Sequence, residues 1–377
     1  MKGIHASSLL IALLFAIVPA ALGSTTWYVD GVNGSDSNNC MSSQTACKTI
    51  KHAIKIATSG DSIMVAAATY TDILNFSISV NVIGSGAATT IIDGRHRRGS
   101  AVVTINAKAK VTLSQVTIQN GGRGISGNGN GIYNVGTVTV NDSIINGNHA
   151  GIGGGILNSG TVTLSNSTLS GNQGKNAGGI VNSGTMTINN STLSNNFAPE
   201  GPGAVSNMGG TLTINNSTLS GNRAYVGGGG LITNQGGATV TINNSTLSGN
   251  SVRHGAAGGI VGTATLQNTI LANNTGGNCY GGVTSSGYSL SSDATCNFNG
   301  PGDVNNTDPK LGPLQDNGGP TQTMALLSGS PAFDAGNPNG CRDNLGQLLT
   351  ADQRGQPRPD KEDKGGCDMG AYESQTP

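Results

Sequence analysis

A chain of 377 residues with 61 glycines and only 3% aromatics is too long for a disulfide-held miniprotein and too poor in aromatics for a conventional globule. Charged residues make up 10%, and Lys+Arg balances Asp+Glu at 19 each. That excludes a highly charged disordered chain and a nucleic-acid binder relying on overall basicity.

At the N-terminus Lys2 precedes an apolar run from Leu9 to Val18, and Ala21 and Gly23 mark a cleavage site before Ser24. Residues 1–23 read as a secretory signal peptide, too short to span a membrane. No other segment is apolar enough to cross a bilayer. Export permits disulfides. The six cysteines fall into local groups, Cys40/Cys47, Cys279/Cys296 and Cys341/Cys367, each closing a loop outside the repeats. No spacing gathers four soft ligands, so no metal site is expected.

Residues 24–76 form an N-terminal cap. Within TIKHAIKIA, Ile50, Ala53, Ile54 and Ala57 share one helical face, which suits a short helix covering the end of a solenoid. Ser62–Ala67 and the run from Ser77 read as the first strands.

Residues 77–275 are repetitive. VTLSNSTLSGN from Val162 returns as MTINNSTLSNN from Met186, LTINNSTLSGN from Leu212 and VTINNSTLSGN from Val240. Weaker copies start at Val111, Val138 and Ala264, so the spacings are 27, 24, 24, 26, 28 and 24 residues. Between copies lie GIYN, GILN, GIVN and GLIT, from Gly131, Gly155, Gly179 and Gly230. The alternation is that of strands, with Leu169, Leu193, Leu219 and Leu247 in one inward column. The fold class is therefore all-β: a right-handed parallel β-helix of three short strands per coil and about 25 residues per coil. Asn166, Asn190, Asn216, Asn244 and Asn268 fill one turn column, with Asp142 in the same place. Asn148, Asn172, Asn196, Asn222, Asn250 and Asn274 fill another. Asparagine tolerates left-handed backbone, and stacked amides bond along the axis. The Asn-Ser-Thr triplets match glycosylation sites but are read as turn chemistry.

Beyond about residue 275 the repeat fades, and residues 276–377 are expected to form a C-terminal cap. WYVDGVNGSDSNNC, ACKTIKHAIKIATSGDSIMVAAATYTD and VIGSGAATTIIDG resemble the opening of secreted bacterial β-helix proteins of the pectate-lyase-like superfamily. DPKLGPLQDNGGPTQTMALLSGSPAFDAG from Asp308, DQRGQPRP from Asp352 and CDMGAYE from Cys367 resemble a choice-of-anchor Q domain. The resemblance implies export and a β-helix, but no particular chemistry. No apolar helix or basic tail follows, so release or loose cell-surface association is expected rather than covalent anchoring.

A hydrolase needs paired carboxylates, but between Asp93 and Asp293 the only acids are Asp142 and Glu200. A lyase needs a base and a group to stabilise a uronate carboxylate. The variable loops offer Arg123, His149, Lys175, Arg223, Tyr225, Arg253 and His254, which follow the second asparagine column and should line one edge. These are the candidate substrate-binding residues. His149, Lys175, Arg223 and Tyr225 are the first catalytic candidates. Residues 101–275 hold six Lys/Arg against two acids, a local excess that favours an anionic glycan. The run Arg95, His96, Arg97, Arg98 is either a solvated turn or one end of the same groove. Calcium would serve a lyase, yet no oxygen-rich loop with calcium spacing is present. The acids Asp334, Asp352, Asp360, Glu362, Asp363, Asp368 and Glu373 are assigned to cap turns.

Finally, the pairs Thr137/Thr139, Thr161/Thr163, Thr185/Thr187, Thr211/Thr213, Thr239/Thr241 and Thr263/Thr265 make two outward columns. They resemble the arrays of ice-binding solenoids, although threonine is also a favoured exposed strand residue. The leading expectation is a secreted, monomeric, non-catalytic β-helix that binds extracellular or cell-surface polysaccharide, with no cofactor and no nucleic acid. The alternatives are a polysaccharide lyase and an ice-binding protein.

Overall fold

The computed structural model describes residues 23–97, 99–122, 131–227, 232–360 and 366–375, the side chains of 233–235 excepted. The expected signal peptide up to residue 22, Arg98, Arg123, the start of the GLIT phrase at Gly230, Glu362 and Asp363 lie outside them.

Among the described residues, strands stack into three long parallel sheets. The first has eleven strands and carries the Thr-x-Thr phrases. The second has ten and carries Ser-Thr-Leu-Ser. The third has nine and carries the GIYN-type phrases. Pairing is in register through the repeats: Val138, Val162, Met186, Leu212 and Val240 are successive partners. Inward side chains such as Leu164, Ile188, Leu193, Leu219 and Ile242 are fully buried, each contributing about 1.5–3 kcal/mol relative to exposure. To the three expected strands, five coils add a short fourth, forming a five-stranded fourth sheet.

The turn between the first and second sheets needs left-handed backbone. Asp142, Asn166, Asn190, Asn216, Asn244 and Asn268 supply it at φ of 48–52°, where asparagine and aspartate are tolerated. Asp142 is thus a turn residue. The second asparagine column is interior. The Asn148 amide donates to Asn172 Oδ1 at 3.0 Å, and the same bond recurs through Asn196, Asn222, Asn250 and Asn274 at 2.9–3.0 Å. Each of these amides also donates to a carbonyl of the second sheet, as Asn172 does to Ile145. A further ladder runs through Asn134, Asn158, Asn182 and Asn207 at the ends of third-sheet strands. Buried polar groups are thereby paired along the axis.

Helix α1, Ile50–Ile56, is capped by the Thr49 hydroxyl, which accepts from His52 N. Ile50, Ala53 and Ala57 are buried, and Ile54 packs against the core. The helix contacts the first strands at Thr26–Val29, Ser62–Val65 and Leu74–Phe76. Thr26–Val29 begins the first sheet ahead of the segments the pattern identified.

All three local disulfides are formed: Cys40–Cys47, Cys279–Cys296 and Cys341–Cys367. The Cys279–Cys296 bridge departs from its expected place outside the repeats. Cys279 pairs with Ile260 in the third sheet, and Cys296 is buried with Phe298 in the main core. The physical reason is a further coil. Cys279–Tyr280, Val283–Ser285 and Leu290–Ser291 extend the three sheets past residue 275, and the apolar bridge helps to fill the interior that this coil closes. The repeat fades there in sequence while the winding continues.

Residues 308–360 and 366–375 run back along the outer face of the second sheet. Gln353 Oε1 accepts from Thr218 Oγ1 at 2.6 Å, and its amide donates to Thr192 Oγ1 at 2.9 Å. Farther along, Ala371 N donates to Thr246 Oγ1, and Arg358 to Asn216 Oδ1. This strap explains why the outward residues Thr192, Thr218 and Thr246 are buried, whereas Thr168, below it, is half-exposed. Arg358 is itself buried and paired with Glu373 at 2.6 Å.

Candidate functional site

The fourth sheet positions most of the loop candidates. One residue after each buried asparagine the chain forms strands His149–Ala150, Gln173–Gly174, Phe197–Ala198, Arg223–Gly227 and Ser251–Gly255. His149, Gln173, Phe197, Arg223 and Ser251 are successive partners, so they form one file. Ala150, Ala198 and Ala224 alternate with them into the interior. Two residues on, Lys175, Pro199, Tyr225 and Arg253 form a second file. Its register follows from Val226 N donating to Pro199 O and Glu200 N to Lys175 O. Within a strand the files are about 6.6–6.8 Å apart, and rungs follow at about 4.8 Å.

The side chains interlock along the axis. Arg223 Cζ lies 4.8 Å from the centroid of Phe197, and Arg253 Cζ 5.1 Å from that of Tyr225, so each guanidinium stacks on the ring one rung below. Tyr225 also meets His254 edge-on at 5.5 Å. Lys175 is bridged to Glu200 at 3.1 Å, both partly exposed, so this pair contributes little stability. Arg223 and Arg253 have no carboxylate partner among the described residues.

At the N-terminal end the row extends to His96. Arg95 and His96 both take left-handed backbone, and the His96 ring lies 6.2 Å from that of His149. The rung between them is Gly121–Gly122, with no side chain to separate the imidazoles. Burial, and then the His96 charge, holds the His149 pKa below its ordinary value. Burial works to raise the Asp93 carboxyl, but hydrogen bonds from Gln119, the Arg95 amide and Asn120, with the His96 charge, hold it low. Asp93 and Glu200 are therefore each engaged and set near different rungs. They do not fit a calcium site.

The structure thus brings His149, Lys175, Arg223, Tyr225, Arg253 and His254 to one flank, together with His96. Gln173 and Phe197 belong to the same row. Their signal was available, because each follows a second-column asparagine by one residue, as His149 and Arg223 do. The acids Asp352, Asp368 and Glu373 lie in the strap, buried. Burial, and then the Glu373 charge, pushes the Asp368 carboxyl up to about 7.

On the first sheet Thr139, Thr163, Thr187, Thr213, Thr241 and Thr265 are in register, continued by Thr284. Thr137, Thr161, Thr185, Thr211 and Thr239 form a shorter parallel file.

A family described as "Right handed beta helix region" matches residues 63–246. Among solved structures, pectate lyase Pel9A superposes with a TM-score of 0.50 at 14% identity, over 93% of this chain and 97% of that one. A rhamnogalacturonan lyase gives 0.41 at 10% identity, over 81% and 96%. Pectin methylesterase PemA from Erwinia chrysanthemi gives 0.34 at 13%, over 70% and 82%. The first likeness establishes the fold alone, and the other two superpositions are too loose to carry an argument. No curated protein matches the sequence significantly. Among the described residues no helix is long and apolar enough to cross a membrane.

Proposed function

We propose that this chain is a secreted, non-catalytic β-helix protein that binds an extended polysaccharide along its fourth sheet. One observation carries the reading: His149, Gln173, Phe197, Arg223 and Ser251 stand in a continuous outward file. The second file adds Lys175, Tyr225 and Arg253. A polymer of repeating units meets a protein surface of repeating rungs, with rings to stack on and amide and guanidinium donors to its hydroxyls. Buried Ala150, Ala198 and Ala224 anchor the strands behind the files, and a surface already ordered before binding loses little entropy on capture. Export accords with three disulfides, which persist in oxidising compartments.

Affinity electrophoresis through gels containing polygalacturonate, alginate, a sulfated glycan or a neutral glycan tests the proposal. Retarded migration in at least one gel, relieved by Phe197→Ala with Arg223→Ala, is expected. Unretarded migration in every gel overturns it. Release of unsaturated uronate ends would instead assign lyase chemistry, and His149, Lys175, Arg223 and Tyr225 would be replaced first. The threonine files favour one other reading, adsorption to ice, which thermal hysteresis abolished by Thr187→Tyr would support.

A further inference from the structure

The distribution of histidines over the surface is uneven. The described residues include four, and three of them, His96, His149 and His254, stand on the fourth-sheet flank. The fourth, His52, is in helix α1 at the N-terminal end. Two of the three stand at the two ends of the row: His96 touches His149 edge-on at 6.2 Å, and His254 touches Tyr225 at 5.5 Å.

The other charges facing them are few. Around His96 and His149 stand Arg95 and Arg97 in the same exposed turn, with Asp93 bound to Gln119, Asn120 and the Arg95 amide. On the neighbouring rung Gln173 is uncharged. Beside His254 are Arg253 on its own strand, and Tyr225 and Val226 on the next. Lys175 and Glu200, farther along, neutralise each other. No carboxylate forms an ion pair with any of the three imidazoles among the described residues.

We infer that the ligand on this flank is an anionic polysaccharide and that the three imidazoles make its capture acid-dependent. The inference rests on the polysaccharide reading above and adds to it the charge of the polymer and the regulation of the site. Above neutrality the row offers Arg223 and Arg253, cations with no carboxylate partner among the described residues, with the arginines of the 95–97 turn at its end. Acidification adds imidazolium charges to the same surface, because histidine is the side chain that changes charge in this range. Burial and the His96 charge both oppose protonation of His149. By reciprocity, a bound polyanion promotes protonation of the imidazoles it touches.

Dextran sulfate and uncharged dextran share a backbone and differ in charge, and the sulfate ester does not titrate in this range. Their affinities for the full chain are measured at constant ionic strength at about pH 7.5 and about pH 5, the span over which histidine changes charge. Each imidazolium is expected to strengthen dextran sulfate binding about fivefold, as one basic side chain does near an anionic surface, so the three together give up to roughly 125-fold. Dextran binding is expected to stay flat. The triple variant His96→Gln, His149→Gln, His254→Gln is expected to lose the pH dependence. Equal affinity for both polymers at both pH values overturns the inference and leaves polysaccharide binding standing. A pH dependence that survives in the triple variant also overturns it. Absence of binding to either polymer, and to every glycan in the electrophoresis panel, removes the polysaccharide reading and this inference together.

Discussion

Replacing Asn196 by alanine tests whether the interior amide ladder holds the coils in register. The side chain is fully buried. Its amide donates to Leu169 O at 3.0 Å and Asn222 Oδ1 at 2.9 Å, and its oxygen accepts from the Asn172 backbone and side-chain nitrogens, both at 3.0 Å. In Asn196→Ala the Asn172 N–H loses its partner outright. The Asn172 amide keeps its bond to Ile145 O, and Asn222 Oδ1 keeps the Asn196 backbone N–H. One orphaned buried donor costs about 1–3 kcal/mol, and the three other lost bonds about 1 kcal/mol each, giving about 4–6 kcal/mol in all. Asn189→Ala is the control. Its oxygen accepts only from Asn215, at a half-buried site on the first sheet, so its removal should cost about 1 kcal/mol or less. Urea denaturation of the two variants beside wild type reads the difference. Equal losses would refute the idea that the interior ladder, more than the outer one, secures the stack.

Two further outcomes concern the strap. The folded state raises the Asp368 pKa to about 7 from an ordinary value of 3.8, so it holds a proton that the unfolded chain has released. Stability should therefore fall as pH rises from about 4 towards 7, and Asp368→Asn should remove that part of the pH dependence in denaturation curves. An unchanged pH profile in the variant would contradict the assignment. Replacing Cys341 and Cys367 by serine opens a bridge of sequence separation 26, a loss of about 3 kcal/mol. Limited proteolysis should then cut within residues 308–375 and spare the coils; uniform resistance would show that the strap is held without the bridge.

The coils were legible because repetition multiplies a weak signal. One Val-Thr-Leu is ambiguous, but seven copies align an inward column. The asparagines were legible for the same reason, since a left-handed turn recurs at one place in each coil. The coil around Cys279 and Cys296 was not, because its strands no longer carry the repeated phrase and only their pairing with Ile260, Ala264 and Ile270 shows that the winding goes on. The fourth sheet was also hard to see. Its strands at His149, Gln173 and Phe197 are two residues long, too short for alternation to register. Acid–base chemistry points to Tyr225 and the basic side chains and passes over Phe197 and Gln173, although their position relative to Asn196 and Asn172 marks them. The strap's course was not legible at all. It has no period, and it is fixed by single contacts such as Gln353 with Thr218 and Arg358 with Asn216, 135 and 142 residues apart in sequence.

Hydrogen–deuterium exchange with and without a saturating polysaccharide locates the ligand most directly. Binding along the fourth sheet should slow exchange in 149–150, 173–174, 197–198, 223–227 and 251–255, leaving the threonine strands of the first sheet unchanged. Protection confined to the first sheet or the strap, with the fourth sheet exchanging as before, would contradict the assigned site.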